Sequence, residues 1–156
     1  MSGSHLARNL ATLRARKPEL ADRVEAAEPH DIEPRQCRNG RRTLASSGVL
    51  LGSEYDQQTE AERAAQSLAE GRPDFVLAIG FGLGLSFAQL RERHRCPIAI
   101  FEPDPARLRA ALDLDHTFPW LGDDDVSIVQ SPSQLGRLVE EGYIPGLRLE
   151  VSVHPS

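Results

Sequence analysis

Residues 74–86 read DFVLAIGFGLGLS, an apolar run that passes directly into three alternating glycines. The run itself, residues 75–79, is continuous and apolar, which is typical of a strand buried on both faces of a parallel sheet. Gly80, Gly82 and Gly84 follow at once, and apolar side chains then recur at helical spacing. Strand, glycine turn and helix in this order predict the start of a βαβ unit, and therefore an α/β protein.

The glycine turn has a physical rationale as a binding element. A sharp turn from strand to helix needs positive φ angles or closely approaching backbone, and side chains would obstruct both. The helix start then offers unpaired N–H groups and the positive end of a dipole, where a cofactor or a sugar nucleotide can bind. The spacing is GxGxG and not GxGxxG, because Leu85 stands where the third glycine would fall. A purely structural tight turn is the alternative.

A second strand strengthens the binding interpretation. Residues 97–101 read PIAIF, and Glu102 follows them, 20 residues after Gly82. Rossmann-like nucleotide-binding folds place an acidic residue at the end of the second strand, where it accepts hydrogen bonds from ribose hydroxyls. The sequence therefore predicts a cofactor-binding set of Gly80, Gly82, Gly84 and Glu102. The alternative for Glu102 is that it caps a neighbouring loop.

The residues around the turn limit the kind of ligand. No Lys or Arg lies between residues 73 and 90, so a phosphate would meet only backbone dipoles there. This favours a neutral or zwitterionic nucleoside over a diphosphate, with Ser86 able to add a hydroxyl. Phe81 and Leu83 are bulky and apolar, and they suit either stacking on a base or plugging of the crevice.

The alternation of strands and helices continues to the end of the chain. Asp104 and Pro105 are typical of an N-cap and a first helical position, and Ser131 and Pro132 repeat the pattern. Further strands are expected at 126–129 and at 147–153. We predict a Rossmann-like, mostly parallel core over residues 73–156. An α/β sheet that ends on a strand indicates a fragment of a longer polypeptide.

Residues 1–72 are predicted to form an appendage, a helical hairpin followed by a small β-ribbon. The helices are expected at 5–17 and 18–27, the strands at 32–38 and 41–46, with a third apolar run at 49–51 and a helix ending near residue 70. Asn39-Gly40 predicts a type I′ turn, since both positions accept positive φ. Asp56 or Thr59 is the expected cap of the last helix.

Composition excludes several classes of protein. The 156 residues carry a formal net charge of −5, which does not fit the basic face of a nucleic-acid binder. No apolar run approaches the length of a membrane span, and we expect a cytoplasmic protein. Two cysteines and five histidines show no metal-ligand spacing, so no metal site is predicted. The three contiguous aspartates at 123–125 are interpreted as a solvated loop, because adjacent carboxylates point in different directions.

The turn resembles the first motif of class I methyltransferases, which use S-adenosylmethionine. Val76 to Gly84 overlays that motif, and Glu102 overlays the acid that binds ribose. Ala78 departs from the family, which usually carries an acidic residue there. The resemblance implies S-adenosylmethionine as the cofactor and methyl transfer as the activity.

A second resemblance covers nearly the whole chain and is to the N-terminal domain of the motility accessory factor (Maf) family of flagellin glycosyltransferases. The matching features, in order, are Asn9-Leu10, Pro18-Glu19-Leu20, the glycine-containing hairpin, Leu51 to Asp56, Glu60 to Arg63, Gly80 to Gly84, Phe101 to Asp104 and Val153-His154-Pro155. Gln57 departs from the family, which often has proline there.

This resemblance implies a larger bacterial protein that transfers nonulosonic acids onto flagellin. In that family the transferase centre lies in the domain that follows, so the catalytic residues are unknown here and the isolated chain is expected to be inactive. The N-terminal domain would then be accessory or would bind a nucleotide or nucleotide-sugar. A third possibility is a non-catalytic module that binds flagellin or mediates self-association.

Overall fold

A computed structural model describes residues 4–28, 30–142 and 148–153. Its helices are α1 (His5–Arg16), α2 (Pro18–Ala26), α3 (Gln57–Glu70), α4 (Leu85–Arg93), α5 (Pro105–Leu112) and α6 (Pro132–Gly142), with a 3-10 helix at Pro119–Gly122. Its strands are β1 (Ile32–Gln36), β2 (Arg42–Ser46), β3 (Val49–Leu50), β4 (Phe75–Ile79), β5 (Ile98–Phe101), β6 (Val126–Val129) and β7 (Leu149–Val153). None of the helices in these ranges combines the length and apolarity needed to cross a bilayer.

Four strands form a parallel sheet in the order β6-β5-β4-β7. The predicted first core strand is confirmed at residues 75–79, and the α/β class and the Rossmann-like architecture are confirmed with it. Taken in chain order these strands run 3-2-1-4, which is the order found in the first part of a Rossmann sheet. Leu147 of the last predicted strand, and His154 and Pro155 after it, lie outside the described residues.

Helix starts follow the predicted capping signals. The Asp56 carboxylate accepts a hydrogen bond from the Thr59 N–H at 3.0 Å, so Asp56 and not Thr59 caps α3. Asp104 caps α5 through the Ala106 N–H at 2.9 Å, with Pro105 at the first helical position. Such caps stabilise a helix by about 1 kcal/mol each.

The β-ribbon forms as a three-stranded antiparallel sheet, but its type I′ turn is not where the sequence predicts it. Asn39 does not adopt a positive φ, whereas Gly40 does, at +81°. The Gly40 N–H donates to the Cys37 carbonyl at 3.1 Å, and the Cys37 N–H donates to the Arg41 carbonyl at 2.7 Å. This is a three-residue loop, for which a type I turn followed by a left-handed glycine is the favoured geometry.

The two-residue turn lies one hairpin later, between β2 and β3. Ser47 and Gly48 both have positive φ, +49° and +81°, and Ser46 pairs directly with Val49 across the turn. The sequence interpretation failed here because the Asn-Gly pair does not by itself set the loop length.

The buried amide of Asn9 holds the first helix against the end of α5 and the segment that follows it. The Nδ2 of Asn9 donates to the carbonyl oxygens of Leu112 and His116, both at 2.9 Å, and its Oδ1 accepts from the Phe118 N–H at 2.8 Å. The Nδ2 donates two hydrogen bonds and the Oδ1 accepts one, so these partners offset the free-energy cost of burying the amide. The apolar side chains of α1 and α2 join the same core cluster as those of β4 and α5. The boundary at residue 72 stays a prediction.

Lys17, between α1 and α2, is the only lysine of the sequence. Its Nζ donates to the Leu121 carbonyl at 2.8 Å, which ties the helical hairpin to the 3-10 helix. Burial lowers the pKa of this ammonium below its usual value, although Asp123 and Asp124 partly offset the effect.

The acidic run at 123–125 is engaged and not simply solvated. Arg91 donates from its guanidinium to Asp123 at 2.7 Å and to Asp125, and also to the Cys96 carbonyl at 3.0 Å. Partial burial raises the pKa of Asp125, but the hydrogen bonds and charge of Arg91 outweigh it, and the net pKa is lowered. The ion pairs join the end of α4 to the start of β6. Across the described ranges, His, Cys, Asp and Glu form no cluster of three or more that could hold a metal.

Candidate functional site

The four residues predicted to bind a cofactor lie together at the carboxyl edge of β4 and β5. The Gly80 N–H donates to the Phe101 carbonyl at 2.8 Å, which continues the strand pairing into the turn. Gly80, Gly82 and Gly84 have φ angles of +92°, +58° and +77°. Side chains are strained in this left-handed region, so the turn needs glycine for its backbone path whether or not a ligand binds.

Glu102 lies behind this turn, with 1% of its surface exposed. Its Oε2 accepts the Phe81 N–H at 3.1 Å, and its Oε1 accepts the Asp104 N–H at 3.2 Å. Burial raises the pKa of this carboxyl above its usual range, and the two N–H donors only partly oppose the shift. Both oxygens thus link the turn after β4 to the loop after β5, the loop-capping role considered from the sequence. Contact of Glu102 with a ribose stays a prediction.

Phe81 fills the space beneath the turn. The ring is fully buried and lies at centroid distances of 5.9 to 6.2 Å from the rings of Phe87, Phe118 and Trp120, with which it forms an aromatic cluster. A Cβ added at Gly84 would lie 2.8 Å from two ring atoms of Phe81. Of the two roles suggested for Phe81, stacking on a base and plugging the crevice, the geometry is that of the plug.

An open cavity of about 430 Å³ lies beside the turn. We call it the switch-point cavity. Its walls come from the end of the β-ribbon, one side of α3, the start of α4 and the end of β7. The lining residues are Leu50–Ser53, Gln57, Glu60, Ala61, Ala64, Leu83–Ser86, Ser152 and Val153.

Its position follows from the sheet topology. β4 has β5 on one side and β7 on the other, so the chain connections leave the sheet in opposite directions at this point. Open α/β sheets bind ligands in the crevice outside the carboxyl ends of the strands, where the strand order reverses. The switch-point cavity occupies that crevice. Of the predicted set only Gly84 lines it.

Five polar side chains line the cavity, those of Ser53, Gln57, Glu60, Ser86 and Ser152. Ser86 is 6% exposed, and within the described part of the chain its hydroxyl has no hydrogen-bond partner. Gln57 is 3% exposed; its Nε2 donates to Cys37 Sγ at 2.8 Å and to the Arg42 carbonyl at 3.1 Å. Glu60 uses one oxygen to accept the Ser53 N–H at 2.7 Å.

Sequence reasoning considered Ser86 for this role and missed the other four polar side chains. Gln57 and Glu60 lie in the first turns of α3, which the sequence marks only as a helix with a small-residue stripe. Their position at the cavity depends on α3 packing against α4, a contact between segments far apart in the chain. Polar residues in the first turns of a helix carry no local signal that they will line a cavity.

No protein-family model matches this chain, and no curated protein matches it by sequence. Among solved structures, MNMC2 from Aquifex aeolicus aligns with 87% of this chain and 47% of its own at 17% identity, with a TM-score of 0.35. That score is too low to support an argument.

The Maf glycosyltransferase from Magnetospirillum magneticum AMB-1 matches far better. It aligns with 97% of this chain at a TM-score of 0.74 and 16% sequence identity. The aligned part is 32% of that protein, so this chain spans about a third of its length. The resemblance predicted from the sequence is thereby confirmed at the level of the fold: the chain has the fold of one part of a Maf glycosyltransferase.

Proposed function

We propose that this chain is the N-terminal accessory domain of a Maf-type flagellin glycosyltransferase. The observation that carries the proposal is the superposition of nearly the whole chain on part of a Maf glycosyltransferase, helical hairpin and ribbon included. The order of sequence motifs from Asn9 to Asp104 supports the same assignment. The domain contributes binding or orientation, acts in the cytoplasm and leaves sugar transfer to another part of the protein.

The geometry around the glycine turn supports an accessory role. Glu102, the acidic residue nearest the turn, already accepts two backbone hydrogen bonds and is closed off from solvent. A carboxylate that acts as a catalytic base must reach the proton it removes, within about 3 Å. Glu102 cannot do so without giving up the contacts that shape the turn.

The methyltransferase alternative gains no supporting observation from the structure. Ala78 is fully buried within β4, where that family usually carries an acidic residue. Calorimetry with S-adenosylmethionine tests this alternative directly. Micromolar binding that is lost in Glu102→Ala would favour it over the accessory role.

A transfer assay tests the proposal. The chain is incubated with a bacterial flagellin and a CMP-activated nonulosonic acid, and the flagellin mass is measured. We expect no mass increase, whereas the full-length Magnetospirillum enzyme in the same mixture supplies the positive control. Immobilised flagellin should retain the chain in a binding assay run in parallel.

Two results would count against the proposal. Sugar on flagellin in the presence of this chain alone would place the transferase centre within it. Absence of any binding to flagellin, with or without the donor sugar, would remove flagellin as the partner of this domain.

A further inference from the structure

We propose that the switch-point cavity is a binding site for an uncharged molecule of nucleoside size, held by Ser86 at the start of α4 and by Gln57 at the start of α3. Gly80, Gly82 and Glu102 of the predicted cofactor-binding set do not line this cavity, whereas Gly84 does. The inference goes beyond the proposed function and does not depend on flagellin or on sugar transfer.

Ser86 gives the first argument. A hydroxyl in a largely enclosed position gains from a hydrogen bond with a ligand, and this residue is 6% exposed. Within the described ranges it has no partner, although it lines the cavity. It also lies in the first turn of α4, whose N-cap, Gly84, provides no side-chain cap. A ligand atom at this point would meet both the hydroxyl and the N–H groups of Leu85 and Ser86 at the helix start.

Gln57 gives a second, independent argument from the opposite wall. Its Nε2 is fixed by the Cys37 sulfur and the Arg42 carbonyl, which determines the orientation of the amide. Its Oε1 accepts no hydrogen bond from any residue that the structure describes, and the side chain lines the cavity. The same cavity is therefore lined by an amide of fixed orientation and by a hydroxyl.

The charge of the lining selects against anions. Of the described residues that line the cavity, none is Lys, Arg or His, and Glu60 is the ionisable one. A phosphate would meet the weak positive end of α4 but also the Glu60 carboxylate, without a cation to neutralise it. Ligand hydroxyl groups, by contrast, can donate to Gln57 and to the unused oxygen of Glu60.

Size and apolar walls complete the description of the ligand. The volume, about 430 Å³, falls within the range of small-molecule sites, which are mostly apolar with a few fixed polar groups. Leu50, Leu51, Leu83 and Leu85 supply the apolar walls, and Ala61 and Ala64 of α3 leave the space open. An apolar ring that carries several hydroxyl groups satisfies these walls and the polar groups together.

The experiment measures binding of adenosine and cytidine, each beside its 5′-monophosphate, to the chain by calorimetry. At least one nucleoside should saturate with a Kd below about 1 mM, and its monophosphate should bind about tenfold more weakly. Ser86→Ala should weaken nucleoside binding about fivefold, the usual effect of one lost hydrogen bond. Ala64→Leu fills the cavity without changing its polarity and should abolish binding.

Ser67, on the exposed side of α3, supplies the matched controls Ser67→Ala and Ser67→Leu, which should bind like the parent chain. Circular dichroism measures whether each variant is folded. If Ala64→Leu does not fold, the milder Ser86→Ala variant alone tests the binding proposal. No saturable binding of either nucleoside would overturn the proposal. Tighter binding of the monophosphates, or equal effects of the Ser86 and Ser67 variants, would do so as well.

Discussion

Replacing Gly84 by alanine tests whether the glycine turn is shaped by packing against Phe81. The residue has a φ of +77°, and an added Cβ would lie 2.8 Å from two atoms of the Phe81 ring and 3.1 Å from Phe118. Phe81 is fully buried in the aromatic cluster, so a shift of its ring must displace the neighbouring rings. Gly40 is a matched control, because it has a φ of +81° and nothing within 4 Å of an added Cβ.

The expected magnitudes separate strain from overpacking. A left-handed alanine costs about 1–2 kcal/mol of unfolding free energy at either position. Overpacking of a well-filled core adds about 1–3 kcal/mol at Gly84 alone. Gly84→Ala should therefore destabilise the protein by about 2–5 kcal/mol, and Gly40→Ala by about 1–2 kcal/mol.

Urea unfolding followed by fluorescence measures both variants, because Trp120 is the only tryptophan and lies in the affected cluster. A double-mutant cycle with Phe81→Leu isolates the contact: Gly84→Ala should cost less once the ring is gone. Equal losses at Gly84 and Gly40, together with no coupling to Phe81, would refute the packing argument.

Three further predictions concern other parts of the fold. Arg91→Ala leaves two carboxylates without their buried partner and should lower the unfolding free energy by about 2–4 kcal/mol. Exposed Arg95→Ala should lower it by less than about 0.5 kcal/mol in the same urea series, and similar losses for the two variants would contradict the role of burial. Gly136→Ala, inside α6 with open space around the added Cβ, should raise the unfolding free energy by about 0.5–1 kcal/mol, and a loss would show that the position packs against something. Because burial raises the pKa of Glu102 above its ordinary value of 4.5, its protonated form favours the fold, and that contribution is lost as pH rises through the raised value. The stability of the parent chain relative to Glu102→Gln should therefore fall as the pH rises above the ordinary carboxyl range, and a constant difference would contradict the shift.

Local signals account for the parts of the fold that the sequence predicts well. The apolar run at 75–79 needs no partner to be recognised as a buried strand, and the caps Asp56 and Asp104 lie within three residues of the N–H groups that they bind. The glycine turn is also predicted from local sequence, because the backbone geometry at a strand-to-helix junction depends on only a few neighbouring residues.

Contacts between distant segments account for what the sequence does not predict. The sequence predicts a type I′ turn at Asn39-Gly40, but the two-residue loop lies between β2 and β3. The pairing of these strands, and not the Asn-Gly dipeptide, determines where such a loop fits. Trp120 reaches the aromatic cluster through a 3-10 helix that has no periodic signal. The switch-point cavity exists because α3 packs against α4 and brings Gln57 and Glu60 to the glycine turn.

The single lysine also governs how this protein can be handled chemically. Lys17 is the one side chain of the sequence that an amine-reactive dye or cross-linker can modify, and its Nζ already binds the Leu121 carbonyl. Acylation would remove the donated hydrogen bond and push the helical hairpin away from the 3-10 helix beneath it. Coupling to a sensor surface through Lys17 would then perturb the fold at the attachment point, whereas coupling through an engineered exposed cysteine would leave this contact intact.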